Sequence, residues 1–283
     1  MGNRRLIPTE IVAGAVGELV ERASFAMPPG VEEIYEAMRG RERFEMARHT
    51  LGVIVENASI ARKERLPLCQ DCGATIVFCD IGQDVSLEGE SLRDALDRGV
   101  LEAYERLYLR KSIVADPLTR ANTGTNTPCF IHTDIVSGDR VGITVYLKGG
   151  GSENMSCLRM FRPTVSIDEI MDYITERVVE AGPNPCPPLF LGVGIGGTAD
   201  LAMLNAKRAV LRGVGSVHPD PFYAGLESRI LERLNKTGVG PLGFGGVSTA
   251  AAVYIEAAPT HIATLPVALN LNCHSLRYAK RVL

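Results

Sequence analysis

The hydrophobic period changes once along this chain, close to residue 65, and that change restricts the fold more than any other feature. From Thr9 to about Arg65 apolar residues recur at three-to-four spacing: Val12, Val16, Leu19, Val20 and Ala23, then Phe44, Ala47, Leu51, Val55 and Ala58. This predicts helices, broken where Pro28-Pro29-Gly30 interrupts the run. Past Pro67 the apolar residues come in short runs: Ala74 to Cys79, Cys129 to Val136, Arg140 to Leu147, Pro188 to Ile195, Ala250 to Glu256 and Ile262 to Leu269. Runs of that length between Gly-, Pro- and Asn-marked turns read as strands. Helices are expected among them, from Ser91 to about Arg110, from Ser166, and from about Ala199 to Arg212. Ser91 with Asp94 and Ser166 with Glu169 have capping-box spacing. Ser137-Gly138-Asp139 reads as the turn of a hairpin joining two of the strands. No internal repeat or low-complexity linker divides the chain. The expected class is α/β (α+β), a helical N-terminal segment over 1–66 followed by a mixed-sheet region over 67–283.

Charge and cysteine usage then narrow the function. The 283 residues carry a formal net charge of −3, so nothing draws the whole molecule to nucleic acid or an anionic membrane. An anionic ligand must be gripped by local basic residues. No apolar run approaches the roughly 20 residues of a membrane span, and the start, Met1-Gly2-Asn3-Arg4-Arg5-Leu6-Ile7-Pro8, lacks the apolar core of a signal peptide. A cytoplasmic protein is expected. Seven cysteines, at 69, 72, 79, 129, 157, 186 and 273, are an odd and scattered set. They suit packing, metal binding or redox chemistry in a reducing compartment better than a disulfide framework.

Three cysteines stand in turn-rich surroundings: Pro67-Leu68-Cys69-Gln70-Asp71, Pro185-Cys186-Pro187-Pro188 and Leu271-Asn272-Cys273-His274. Cys79, Cys129 and Cys157 lie in apolar, strand-like sequence and read as core. Thiolates on rigid loops suit an iron–sulfur cluster, and three of them leave one iron of a cubane without a protein ligand. Such an iron is a Lewis acid with room for substrate. Cys69-Gln70-Asp71-Cys72 has the spacing of half a zinc site, but no second half follows. Gly192-Val193-Gly194-Ile195-Gly196-Gly197 has the glycines of a dinucleotide loop without the acidic residue about 20 positions later; a tight loop offering backbone N–H groups to an anion or cluster is the better reading.

Four ordered motifs carry a resemblance: PLCQDCG at 67–73, KGGGSEN at 148–154, CPPLFLGVGIGGT at 186–198 with the Asn205 to Ala209 helix, and PTHIATLPVALNLNCH at 259–274. With them the chain resembles the class I iron–sulfur fumarases and L-tartrate dehydratase. The resemblance implies a [4Fe-4S] cluster on Cys69, Cys186 and Cys273. It implies substrate contacts at Gln70, Asp71 and the Gly149 to Gly151 run, with Gly150 foremost. It makes Arg110 the grip on one substrate carboxylate, which a guanidinium fork holds in a bidentate way that the neighbouring Lys111 cannot match. It makes His261 an active-site histidine, with His274 as a second candidate. Where relatives carry threonine in CQDTG, this chain has Cys72. That residue replaces a small polar group, or offers an alternative ligand, or becomes a disulfide partner of Cys69 once the cluster is lost.

The resemblance covers the N-terminal half of the single-chain enzymes of that family. Their further C-terminal domain supplies a threonine base assisted by an acidic residue, with more arginine and lysine for the second carboxylate. The implied protein is therefore the α subunit of a two-subunit hydro-lyase, completed by a β subunit as an α2β2 assembly and acting on a small dicarboxylate. Fumarate hydration to L-malate is the first expectation and L-tartrate dehydration the alternative. A non-catalytic iron–sulfur sensor or scaffold is the reading from another class.

Overall fold

A computed structural model describes residues 4–283; Met1, Gly2 and Asn3 of the N-terminal stretch lie outside the described residues. In chain order the elements are β1 (Arg5–Pro8), α1 (Thr9–Phe25), α2 (Val31–Arg41), α3 (Glu45–Glu64), β2 (Ala74–Gly82), β3 (Val85–Glu88), α4 (Leu92–Arg106), β4 (Phe130–Val136) and β5 (Val141–Lys148). There follow α5 (Gly150–Glu153), β6 (Cys157–Phe161), α6 (Ile167–Ala181), β7 (Leu189–Gly196), α7 (Ala199–Ala209), α8 (Pro221–Asn235), β8 (Ala250–Ala258), β9 (Leu265–Asn272) and β10 (Tyr278–Val282). After the short strand β1, three helices precede the mixed strands and helices, an α/β fold as the change of period predicts. Two compact units are threaded by this order, one of Met1–Pro28, Ile60–Gly150 and Arg277–Leu283, the other of Pro29–Ser59 and Gly151–Leu276.

The first unit is a four-stranded sheet in the order β10-β5-β2-β4 with helices α1 and α4 on one face. Val77 and Cys79 of β2 and Ile143, Val145 and Leu147 of β5 point into the core, where they meet Val16, Leu19, Leu96 and Val100 of the two helices. Gly99 permits the close helix crossing, since a Cβ there would stand 2.4 Å from the carbonyl oxygen of Ala13. The strands flanking the Ser137 turn do not form the expected hairpin. β4 runs parallel to β2 on one side and β5 antiparallel to it on the other, so the turn crosses the end of β2. Gly82 makes that crossing possible: its N–H donates to the Arg140 carbonyl at 2.8 Å, and a Cβ would lie 2.3 Å from the carbonyl oxygen of Gly138. A turn dipeptide specifies reversal, but not whether a third strand has entered the gap.

The second unit is a three-layer sandwich. Its sheet has the order β6-β9-β7-β8, antiparallel except for the parallel β7–β8 pair. Leu189, Leu191 and Val193 of β7 face the core made with α6 and α8, through Ile170, Ile174, Ile230 and Leu234. The opposite face takes α7, and here Gly192 and Gly194 act. Cβ atoms at these positions would stand 1.9 Å from the carbonyl oxygens of Ala206 and Ala202 respectively, so the helix backbone lies directly on the strand. The glycines of this segment inside β7 are packing glycines and not an anion loop. The Ser166 capping box is closed in both directions: the Ser166 hydroxyl oxygen accepts the Glu169 N–H at 3.2 Å, and the Glu169 carboxylate accepts the Ser166 N–H at 3.0 Å. Helix α8 did not emerge from the sequence pattern, although Asp220 caps it by accepting the Phe222 N–H at 2.8 Å and Pro221 opens it. Among the described residues no helix is long and apolar enough to cross a membrane.

Candidate functional site

In the first unit, the turn between α3 and β2 carries Cys69, Gln70 and Asp71. Asp71 organises it. One carboxylate oxygen accepts the Gly73 N–H at 2.9 Å and the other accepts the Gly150 N–H at 2.7 Å. The PLCQDCG and KGGGSEN motifs, 79 residues apart, therefore meet through a charge-assisted bond. Gly73 has φ +83°, and a Cβ there would sit 3.0 Å from the Lys148 carbonyl oxygen, which explains the glycine that closes the motif. The Tyr104 hydroxyl donates to the Cys72 carbonyl at 2.9 Å. Asn126, fully buried, donates to the Gly73 carbonyl at 3.2 Å and accepts the Ser112 N–H at 2.7 Å. Gln70, Arg110 and Gly150 are exposed, while Cys69 and Asp71 are half-buried.

Cys72 is buried, and its sulfur accepts the backbone N–H of Arg110 at 3.2 Å. The side chain thus lies in the hydrophobic core and ties the cysteine turn to the segment bearing the expected carboxylate grip. Burial raises its thiol pKa, and the Arg110 N–H and the Arg277 charge only partly oppose that. Of the readings open for Cys72, replacement of a small polar residue agrees with this environment. Cys79 is pushed up to about 12, chiefly by burial, and Cys129 is raised further by burial and Asp97. Both are inert core thiols.

In the second unit, Cys186 occupies the turn before β7 and Cys273 follows β9, and these two strands are hydrogen-bonded neighbours. Cys186 is exposed and adopts φ +54°, next to a cis Pro187–Pro188 bond. His274 joins the two loops: its backbone N–H donates to the Cys186 carbonyl at 3.0 Å, and its Nδ1 lies 3.1 Å from the same oxygen. The Tyr35 hydroxyl donates to the His274 carbonyl at 2.5 Å from a fully buried position on α2. Burial, with Cys273 adding to it, holds the Tyr35 hydroxyl well above its ordinary pKa, so it remains a neutral donor. No sequence pattern singled out Tyr35, because an aromatic at helical spacing reads as core. The Cys273 thiol donates to the Ser275 carbonyl at 3.5 Å.

His261 stands apart from these loops, on the exposed β8–β9 connection. With Met160, Gly197, Thr198, Leu201, Thr260 and Thr264 it lines an open cleft of about 470 Å³. Its Nδ1 accepts the Ala263 N–H at 3.1 Å, which assigns the ring proton to Nε2. His274, the second candidate, is the one that joins the cysteine loops. As metal donors, Cys186 and Cys273 fit in chemistry: two thiols on loops pinned by one residue within a rigid sandwich. Neither unit by itself gathers three or more His, Cys, Asp or Glu side chains at metal-binding spacing among the described residues.

An acid-organised glycine loop in one unit and paired cysteine turns on adjacent strands in the other coincide with the motifs of a single hydro-lyase family. The family described as fumarate hydratase (Fumerase) matches residues 13–282, and the chain belongs to it. Among particular relatives, the Methanocaldococcus jannaschii protein named "Putative L(+)-tartrate dehydratase subunit alpha" is 41% identical over 279 residues, covering 96% of this chain and 97% of that one. The L(+)-tartrate dehydratase subunit alpha of Escherichia coli K12 is 32% identical over 272 residues, covering 95% of this chain and 88% of its own length.

Proposed function

We propose that this chain is the α subunit of a [4Fe-4S]-dependent hydro-lyase that interconverts fumarate and L-malate, with Cys69, Cys186 and Cys273 as cluster ligands. The observation that carries the reading is the clasp of Cys186 and Cys273 by His274, which holds two of the three thiols on adjoining turns. The cluster would supply one iron without a protein ligand as a Lewis acid for the substrate hydroxyl and a carboxylate. The chain's own residues do the rest of its share. Arg110 forks one carboxylate. Gln70 and the Gly149 to Gly151 backbone orient the other end, with Asp71 fixing the loop that presents it. The resemblance makes His261 an active-site histidine; with its proton on Nε2 it would donate to a ligand entering the β8–β9 cleft, which lies apart from the Cys186 and Cys273 turns. The base that takes the carbon-bound proton belongs to a β subunit, in an α2β2 assembly located in the cytoplasm.

A second reading, L-tartrate dehydration, is favoured by the names of both relatives. Coexpression with a β-type subunit, followed by anaerobic assay on fumarate, L-malate and L-tartrate, separates the two. Turnover of none of them refutes both. Iron and sulfide analysis of the wild type beside Cys69→Ala, Cys186→Ala and Cys273→Ala tests the ligands. A full cluster retained in all three variants refutes the assignment.

A further inference from the structure

Arg277 lies four residues beyond Cys273 and belongs to none of the motifs. It is nevertheless the largest fully buried side chain of the described residues, 2% exposed. Its Nη1 donates to the Asp71 carbonyl at 2.6 Å. Its Nη2 and an Asp71 carboxylate oxygen each lie 3.4 Å from the point where a Cβ of Gly149 would stand. Among the described residues no carboxylate comes within ion-pair distance of this guanidinium, and its buried Nε–H has no acceptor. Asp71, the acid in the same turn, is already committed to the N–H groups of Gly73 and Gly150.

A buried cation in no direct ion pair is costly, and a ligand that brings negative charge beside it lowers that cost. The turn that holds Arg277 is the one expected to receive a substrate carboxylate. That carboxylate must approach the standing negative charge of Asp71, which repels it. Arg110, being exposed, can grip a carboxylate at the rim but contributes little field inside the turn. The geometry points to Arg277 as the buried cationic determinant of dicarboxylate binding: its charge offsets Asp71 and draws a ligand carboxylate to the Gly149–Gly150 loop, while its Nη1 fixes the loop's position. This inference rests on the hydro-lyase reading for the identity of the ligand, and on the Arg277 environment for the charge.

The experiment measures equilibrium binding of L-malate and L-tartrate to the anaerobically reconstituted complex, in wild type, Arg277→Gln and Arg277→Lys, with iron and sulfide content determined for each. Arg277→Gln removes the charge and, being two bonds shorter, also the donor to the Asp71 carbonyl; Arg277→Lys keeps the charge and removes the fork. The expected result is dicarboxylate binding weakened about tenfold or more in Arg277→Gln, restored to within roughly threefold of wild type in Arg277→Lys, with iron content unchanged in both. An Arg277→Gln protein that binds as wild type overturns the inference, and so does an Arg277→Lys protein as weak as Arg277→Gln. If Arg277→Gln fails to fold, Arg277→Lys decides alone: affinity within roughly threefold of wild type supports the role of charge, and a larger loss overturns it. Wild type that binds a dicarboxylate in an Arg277-dependent way but turns none over refutes the hydro-lyase reading and leaves this inference standing.

Discussion

Replacing Gly194 with alanine adds one methyl group and should destabilise the second unit severely. The new Cβ would stand 1.9 Å from the Ala202 carbonyl oxygen and 2.9 Å from the Ala206 nitrogen, both backbone atoms of α7. Ordinary carbon–oxygen contact begins at about 3.3–3.6 Å, so the helix must retreat by about 1.5 Å. That retreat opens the seam filled by Ala202, Ala206 and Ala268, all fully buried. Overpacking of this kind costs about 1–3 kcal/mol, and separation of the seam adds to it, so a loss near 3 kcal/mol is expected. Against a typical stability of about 5–15 kcal/mol this is readily measured by urea unfolding followed by circular dichroism. Gly14 provides the control. It lies exposed in α1 with nothing within 4 Å of a Cβ position, so Gly14→Ala should stabilise by about 0.5–1 kcal/mol. A Gly194→Ala protein within about 0.5 kcal/mol of wild type would refute the close-packing argument.

Three further outcomes are expected. Tyr35→Phe removes the donor to the His274 carbonyl and should cost about 1–2 kcal/mol in unfolding experiments, with iron loss accelerated in the reconstituted protein; unchanged iron retention would sever Tyr35 from the cysteine loops. Glu227→Ala strips the nearer carboxylate from Arg212, 2.7 Å away and 15% exposed, leaving Glu256 at 3.9 Å, and removes the acceptor from the Ile255 N–H, so thermal unfolding should report a loss of about 2–3 kcal/mol. The thiols of Cys79 and Cys129 are raised above their ordinary value near 9 by burial, so the stability they contribute is complete below that pH and falls as pH climbs toward 12. Replacing both with alanine should flatten the alkaline limb of the stability profile, and an unchanged limb would contradict the assignment.

Some of the site was readable along the chain because its signals are local. Ser166 with Glu169 declares a helix start three residues wide, and that box is present in both directions. Cysteines flanked by proline or asparagine declared themselves as loop thiols, and Cys79 and Cys129 as core, whereas Cys157, read the same way, is only half-buried at the start of β6. The Asp71 to Gly150 bond was not readable, since its partners are 79 residues apart and nothing in either motif names the other. The packing role of Gly192 and Gly194 was hidden for a similar reason. A glycine-rich run after a strand satisfies the pattern of an anion loop, and only the position of α7 shows that the absent side chains make room for a helix.

The sequence by itself determined the α/β class, the helical opening and the family, because hydrophobic period, capping and motif spacing act over a few residues. The tertiary structure alone decided that β2 enters between β4 and β5, that His274 clasps two cysteine turns, and that Arg277 is buried in no direct ion pair among the described residues. Each of these depends on groups far apart in the chain, where packing and the cost of burying charge, and not local preference, select the partner.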